Sequence, residues 1–417
     1  MSIWYLHHYA GHPKVGMSYR PYYLARAMKD LHQEMVVFSA SFHHLKINEC
    51  SQKDRIVLEY VDGIPYCWIK TRAYSGNGFG RIINMFQFAF ILLLINPVKQ
   101  LGLTKPRHII VSSAHPFHIL AGWLYAKRYK ASLSFEIRDI WPLSIIELLG
   151  ISRFHPLCVL IKIFEKFAFI VSDRIISVLP NAWPYLERNG VKPNDFFYLP
   201  NGTLEVDDSE SYALKEEDDL VLKAMEKIID SYPKVIFYGG GHGVPNNLEL
   251  LIEAMRYVPS KYALVLVGDG QLKPKLKALA QSYKLRNVFF LDKVSKSAIM
   301  LLIRMSEICI ISAHKTPLYQ YGVSMNKLFD YMLESKPVLF AIDSPNSVIE
   351  KSKCGIVLAS ENAIDVAEGI KDMLELPDEN LLNMGERGRD FVLKNHLFSV
   401  LARKLLNELN KIEFKGG

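Results

Sequence analysis

The chain has 417 residues but only five cysteines: Cys50, Cys67, Cys158, Cys309 and Cys354. They are scattered, odd in number and without a CxxC pair, which excludes a zinc ribbon and a disulfide framework. Free, partly buried thiols in a reducing compartment are expected. No low-complexity tract occurs, and no internal repeat of roughly 20–50 residues. No basic stripe with interleaved aromatics is present, so a nucleic-acid groove is not expected. The start, MSIWYLHHYAGHPK, lacks a charged segment followed by a long apolar core. No signal peptide is expected, and the cytoplasm is the expected location.

Two nucleotide-binding fingerprints are also missing. From Gly239 the pattern GxGxxG needs glycine at 244, which is Val244; from Gly241 it needs glycine at 246, which is Asn246. No glycine run is followed by Lys-Ser or Lys-Thr, so Walker A is absent. No Asp-x-Asp pair stands at the end of an apolar run, and no metal site is expected. The densest carboxylates, Glu216 to Asp219, fall in the tract 198–220, which reads as a linker with an Asn201-Gly202 turn.

What is present is alternation. Half the residues are hydrophobic and 22% are charged, as in a globular protein, and the length calls for two domains. The net charge of +7 is modest for the length and suits phosphorylated ligands or anionic lipid. Short β-branched or aromatic runs read as strands at 3–6, 35–40, 66–71, 108–113, 133–137 and 174–179. After the linker they return at 234–241, 262–270, 287–291, 308–312 and 336–342. Amphipathic helical stretches separate them, including 18–31 and, at the end, 384–412. This order predicts α/β architecture: two Rossmann-like domains, each a parallel sheet covered on both faces, with a cleft between them. Ligands bind such sheets at the carboxyl ends of the strands.

Those ends carry glycine and charge. FYGGGHG places Gly239, Gly240, Gly241 and His242 after one strand, and LVGDG places Gly268 and Gly270 after the next. Glycine lets backbone N–H groups approach a phosphate, although a tight strand–helix turn uses glycine with no ligand too. In SMNKLFDYM (324–332), Lys327 and Asp330 lie three positions apart and share a helical face. They form a surface ion pair, or they meet an anion with the lysine and hydroxyls with the carboxylate. In the first half, His115 and His118 follow one strand, and Arg138 and Asp139 follow another. Each pair reads as turn filling or buried structure, or as site chemistry. Gly16 has Lys14 and Arg20 beside it, and Lys14 reads most simply as solvated surface. The uncharged run 82–98, IINMFQFAFILLLINPV, is short for a membrane span and contains Asn84 and Pro97. It is either a buried helix or one lying in a membrane interface, flanked by Arg81 and Lys99.

NKLFDYMLESKPVLF, GDG, Asn201-Gly202 and FEIRDIWPLSIIELLG (135–150) together resemble retaining glycosyltransferases of the GT-B fold, family four. SMNKLFDYM resembles the SPNKLFEYM of a branch of L-fucosamine transferase-like enzymes that build bacterial surface polysaccharides such as O-antigen and capsule. The resemblance implies an N-terminal acceptor domain over 1–200 and a nucleotide-sugar domain over 201–394, with the helix 395–417 packing back on the first. It implies transfer from a nucleoside-diphosphate sugar, with no cofactor, to a polyprenyl-diphosphate-linked saccharide at the inner-membrane surface. Donor contacts fall to Gly240, Gly241, His242, Gly268, Gly270, Val294, Ser324, Asn326, Lys327 and Asp330. Gly16, Arg20 and Arg138 would meet the acceptor, and Lys327, Asp139 and His115 would be catalytic. Two features depart from the family pattern: Gly322 replaces the first of its two acids, and His242 stands where a basic pair is common. A sugar-nucleotide epimerase, or a catalytically silent membrane-docked scaffold, are the alternatives.

Overall fold

A computed structural model describes residues 2–16, 18–43, 54–76, 78–113, 115–204, 214–345, 347–359 and 361–412. Two compact units result, one of residues 1–201 with 398–417 and one of residues 202–397.

The first unit holds β1 (Ser2–Leu6), β2 (Glu34–Ala40), β3 (Ile56–Val61), β4 (Ile64–Ile69), β5 (His108–Ser112), β6 (Ser132–Ile137), β7 (Arg174–Ser177) and β8 (Phe196–Tyr198). Their order in the sheet is β3-β4-β2-β1-β5-β6-β7-β8. Every pairing is parallel except β3 with β4. The helices that matter below are α1 (Arg20–Asp30), α2 (Phe79–Leu94), α3 (Ile119–Tyr129), α4 (Leu143–Leu149) and α5 (Pro156–Val171).

The second unit continues with β9 (Lys234–Gly239), β10 (Tyr262–Val267), β11 (Val288–Leu291), β12 (Ile308–Ser312), β13 (Val338–Ala341) and β14 (Gly355–Val357). The sheet order is β11-β10-β9-β12-β13-β14, all parallel. Strand order therefore reverses beside β9, between β10 and β12, the doubly wound arrangement whose ligands sit at the switch point. Alternate residues of β9 serve opposite faces: Val235 and Phe237 enter one core, Ile236 and Tyr238 the other. Helices α6 (Glu216–Ser231), α7 (Lys296–Arg304), α8 (Asn326–Leu333) and α9 (Asp378–Asn395) belong to this unit. The last helix, α10 (Phe398–Asn410), belongs to the first unit, where Phe398 meets Tyr23 of α1 with ring centroids 5.1 Å apart.

Three details differ from the sequence reading. Strand β3 is an antiparallel edge strand, joined to β4 by Asp62-Gly63, both with positive φ (53° and 77°). This is the two-residue hairpin turn that Asp-Gly favours. Glu216 to Asp219 are the first turn of α6, where carboxylates suit the positive helix end. Asp218 also accepts from the Lys215 and Ser295 N–H groups at 3.0 and 2.9 Å. Of the expected linker, residues 205–213 lie outside the described residues, as does Cys50. The C-terminal stretch is two helices, broken at His396 and Leu397 where the chain passes back to the first unit.

Candidate functional site

At the carboxyl end of β9 the chain turns sharply, and the turn is fixed by side chains. The Gly239 N–H donates to the Tyr331 hydroxyl at 2.8 Å, and the Gly240 N–H to the Val267 carbonyl at 2.9 Å. Gly268 (φ 144°) packs so closely that a Cβ there would lie 1.9 Å from the Gly240 carbonyl oxygen. Gly270 (φ 159°) likewise abuts the His242 backbone. The two glycine clusters are thus one structure, in which each turn requires the other.

Lys327, in the first turn of α8, reaches over this structure. Its Nζ donates to the Tyr238 hydroxyl at 2.9 Å and to Asn246 Oδ1 at 3.0 Å, and sits 4.2 Å from the centre of the Tyr238 ring. Asn246 Nδ2 donates to the Gly241 carbonyl at 2.9 Å, which leaves Oδ1 as the acceptor for the lysine. A Cβ on Gly240 would come within 3.0 Å of Nζ, so glycine here makes room for the ammonium. Its partners are neutral oxygens and a π face, and desolvation pushes the Lys327 pKa down to about 7. A half-buried cation without a carboxylate, beside a helix start whose N-cap side chain makes no bond, is a place for an anion.

Lys327 and Asp330 do not pair with each other. Asp330 Oδ1 accepts from the Thr203 hydroxyl at 2.8 Å, and Oδ2 is ion-paired with Lys296. A carboxylate offers about four lone-pair positions, so acceptor capacity remains for a ligand's hydroxyls. His242 is buried, and both ring nitrogens lack a partner among the described residues. Burial and the nearby Lys273 push its pKa down to about 4, so the ring is neutral at pH 7. Val294 packs on the core and Ser324 is half-buried, while Asn326 is exposed at the start of α8. Gly322 has φ 86° and ψ 171°, a conformation open to glycine and strained for glutamate, so the loop shape itself accounts for the missing acid.

In the first unit the expected residues separate. Arg20 is buried and its guanidinium is occupied. Nε donates to Glu136 at 3.0 Å, and the two terminal nitrogens donate to the Leu199 and Pro200 carbonyls at 3.0 and 2.6 Å. Burial alone would raise Glu136, but Arg20 and Arg138 outweigh it and hold the carboxyl below its ordinary value. Arg20 is therefore a structural residue and not the acceptor contact expected of it. His115 is also fully enclosed, which corrects its placement as a group open to substrate. Its Nε2 lies 2.7 Å from His8 Nδ1, and His8 Nε2 lies 2.7 Å from Asn84 Oδ1. Asn84 Nδ2 donates to the Arg72 carbonyl at 2.7 Å, so Oδ1 must accept, His8 carries its proton on Nε2, and His115 donates to His8. Arg138 lies 2.8 Å from His7 Nε2, Asp139 is exposed after β6, and Gly16 is held by the His12 carbonyl at 3.2 Å. Lys14 is exposed and paired with Asp62 at 3.3 Å.

Sequence reasoning missed Tyr238, Asn246, Lys273, Lys296 and Thr203. Tyr238 and Asn246 flank the glycine run and were legible as its neighbours. Lys273 ties the GDG turn to the end of β11, donating to the Gly268 and Leu291 carbonyls at 2.8 and 3.0 Å. Nothing in the sequence marks Thr203 or Lys296. Among the described residues no group of three or more His, Cys, Asp or Glu could hold a metal ion.

Two parallel-sheet α/β units on one chain, the second doubly wound with its glycine turns at the switch point, define the GT-B class of fold. Residues 222–391, within the second unit, match the family model of glycosyl transferases group 1. The chain is 24% identical over 256 residues to an uncharacterized glycosyltransferase of Methanocaldococcus jannaschii, and the match covers 60% of each chain, less than two thirds of that relative. Among solved structures it is similar to sucrose-phosphate synthase from Thermosynechococcus elongatus, with 15% identity, 98% of both chains covered and a TM-score of 0.70. It is also similar to Anabaena HepE in complex with UDP and glucose, with 13% identity, 98% and 99% of the chains covered and a TM-score of 0.65. At these identities the structural likeness is one of fold.

Proposed function

We propose that the chain transfers a sugar from a nucleoside-diphosphate sugar to an acceptor hydroxyl, without a metal ion and with retention at the anomeric carbon. The observation that carries this reading is the Lys327 ammonium, held by neutral groups over the Gly240 turn at the switch point of a glycosyl transferases group 1 domain. The diphosphate would supply the missing negative charge, and Asp330 would accept from sugar or ribose hydroxyls. The HepE complex with UDP supports a uridine nucleotide as the first donor to test. In the reaction the bond from the anomeric carbon to the diphosphate breaks and a bond to the acceptor oxygen forms on the same face. The acceptor proton passes to the leaving diphosphate, whose growing charge Lys327 and the N-terminus of α8 stabilise. The acceptor side is assigned to the first unit, with Arg138 and Gly16 as contacts and Asp139 positioning the hydroxyl. The acceptor is a polyprenyl-diphosphate-linked saccharide of a surface polysaccharide, met on the cytoplasmic face of the membrane.

Release of nucleoside diphosphate on mixing a sugar nucleotide with extracted lipid-linked saccharides tests the reading, with EDTA present in a parallel reaction. Turnover should persist with the chelator. Turnover abolished by EDTA and restored by manganese would overturn metal independence, and no release from any donor would favour the silent scaffold.

A further inference from the structure

Seventeen large hydrophobic side chains are exposed among the described residues, and ten of them lie on α2, on α3, or on α5 and the turn leading into it. Helix α2 carries large apolar side chains on its outward side as well as its inward side. Met85, Phe88 and Leu92 face the core, while Phe79, Phe90 and Leu94 project outward, Phe79 at 76% exposure. An amphipathic surface helix keeps its apolar stripe on the core side, so the outward stripe of α2 calls for a cover of its own. Helix α5 repeats the pattern, with Val159, Ile163 and Ile170 outward and Ile170 81% exposed. The two helices are joined through Phe117: Phe86 of α2 stacks on it at 4.4 Å, and it meets Phe164 of α5 edge-on at 5.4 Å. Monomeric proteins rarely leave so much apolar surface on one layer uncovered.

Charge selects the occupant. Residues 63–135, which include α2 and α3, contain nine lysines and arginines and no aspartate or glutamate. That stretch outweighs the whole chain's net charge of +7. Arg81 stands on α2, Lys127 and Arg128 end α3, and Lys166 is exposed on α5 beside its apolar stripe. Among the described residues no helix is long and apolar enough to cross a membrane. Apolar stripes set among cations, on helices that cannot span, match the interface of an anionic bilayer.

The geometry points to the α2–α5 layer of the first unit as a docking face for an anionic lipid bilayer, entered by the outward side chains of α2 and α5 with their cations at the headgroups. This deepens the proposed function, because it puts the first unit at the surface where a lipid-linked acceptor is presented. It rests on exposed side chains, so it can fail while the transferase reading stands.

Flotation of the full chain with vesicles tests it. The protein should float with phosphatidylcholine vesicles containing phosphatidylglycerol, and less with phosphatidylcholine alone. Added salt should reduce binding to anionic vesicles without abolishing it. Phe79→Glu with Phe90→Glu, and separately Ile163→Glu with Ile170→Glu, should each lower vesicle affinity by at least about tenfold. Leu92 is fully buried and would report only on folding. Phe79→Ser alone keeps the test if a double variant melts early. Nucleoside-diphosphate binding without vesicles, measured on the same proteins, follows the transferase reading separately. Wild type that ignores anionic vesicles, or Glu variants that float like wild type, overturn the proposal. So does a wild-type dimer that the Glu variants convert to monomer, because a second copy would then cover the layer.

Discussion

Lowering the pH from about 7.5 to about 5.5 should destabilise the first unit. His7, His8, His115 and His118 are buried at the ends of β1 and β5. Burial, reinforced by other histidines and by Arg138 or Arg81, holds His7, His8 and His115 well below the ordinary histidine value, and burial alone brings His118 down to about 4. A histidine kept neutral in the fold stabilises it fully only above the unfolded value near 6.5. Below that pH the unfolded chain takes the proton and the folded one does not, so stability falls until the folded value is reached. At pH 5.5 His118, with a folded value of about 4, costs about 1 kcal/mol. His7, His8 and His115 add losses of the same sign to a fold whose whole stability is on the order of 10 kcal/mol. Urea titrations read by hydrogen exchange in β1 and β5 should show stability rising with pH between roughly pH 4.5 and 6. His118→Leu should remove about 1 kcal/mol per pH unit of that rise. A first unit equally stable at both pH values, or a slope untouched by His118→Leu, would refute the reasoning.

Arg20→Ala leaves Glu136 buried without its cation and should cost roughly 3–5 kcal/mol in thermal or urea unfolding. A stable variant with only a raised acceptor KM would restore Arg20 to the acceptor site. Gly268→Ala drives a Cβ against the Gly240 carbonyl at a positive φ, so nucleotide binding should be lost while hydrogen exchange in the first unit is unchanged. Normal binding by that variant would show that the paired turns are not the site. Lys327 titrates near 7, and a bound diphosphate favours its charged form, so donor affinity should fall as pH rises from about 6.5 to about 8.5. Calorimetry in buffers of different ionisation enthalpy should show proton uptake on binding, and Lys327→Met should abolish it.

How far the sequence carried can be judged residue by residue. The buried parallel strands were legible because runs such as YALVLV and ICIIS have no polar face, and the two glycine clusters marked where β9 and β10 stop. Strand β3 was not, because an edge strand carries Glu59 and Tyr60 outward and resembles a loop, although Asp62-Gly63 announced its hairpin. Strands β8 and β14 are three residues each, too short for a period to show. The spacing of Lys327 and Asp330 put them on one face of α8, but it did not show which groups they would meet, because Tyr238, Asn246, Thr203 and Lys296 lie 31 or more positions away in sequence. Arg20 and His115 misled for the same reason. Local sequence cannot distinguish a cation or an imidazole offered to a ligand from one consumed by Glu136 or His8.

The claim that Lys327 and the Gly240 turn hold the donor diphosphate is tested most directly by calorimetric binding of a panel of nucleoside diphosphates, beginning with UDP, to wild type and to Lys327→Met. Losing one charge-assisted hydrogen bond to phosphate costs roughly 1.5–3 kcal/mol, so the best ligand should bind roughly ten- to a hundredfold more weakly to the variant at an unchanged melting temperature. Equal Kd values for the two proteins would contradict the account.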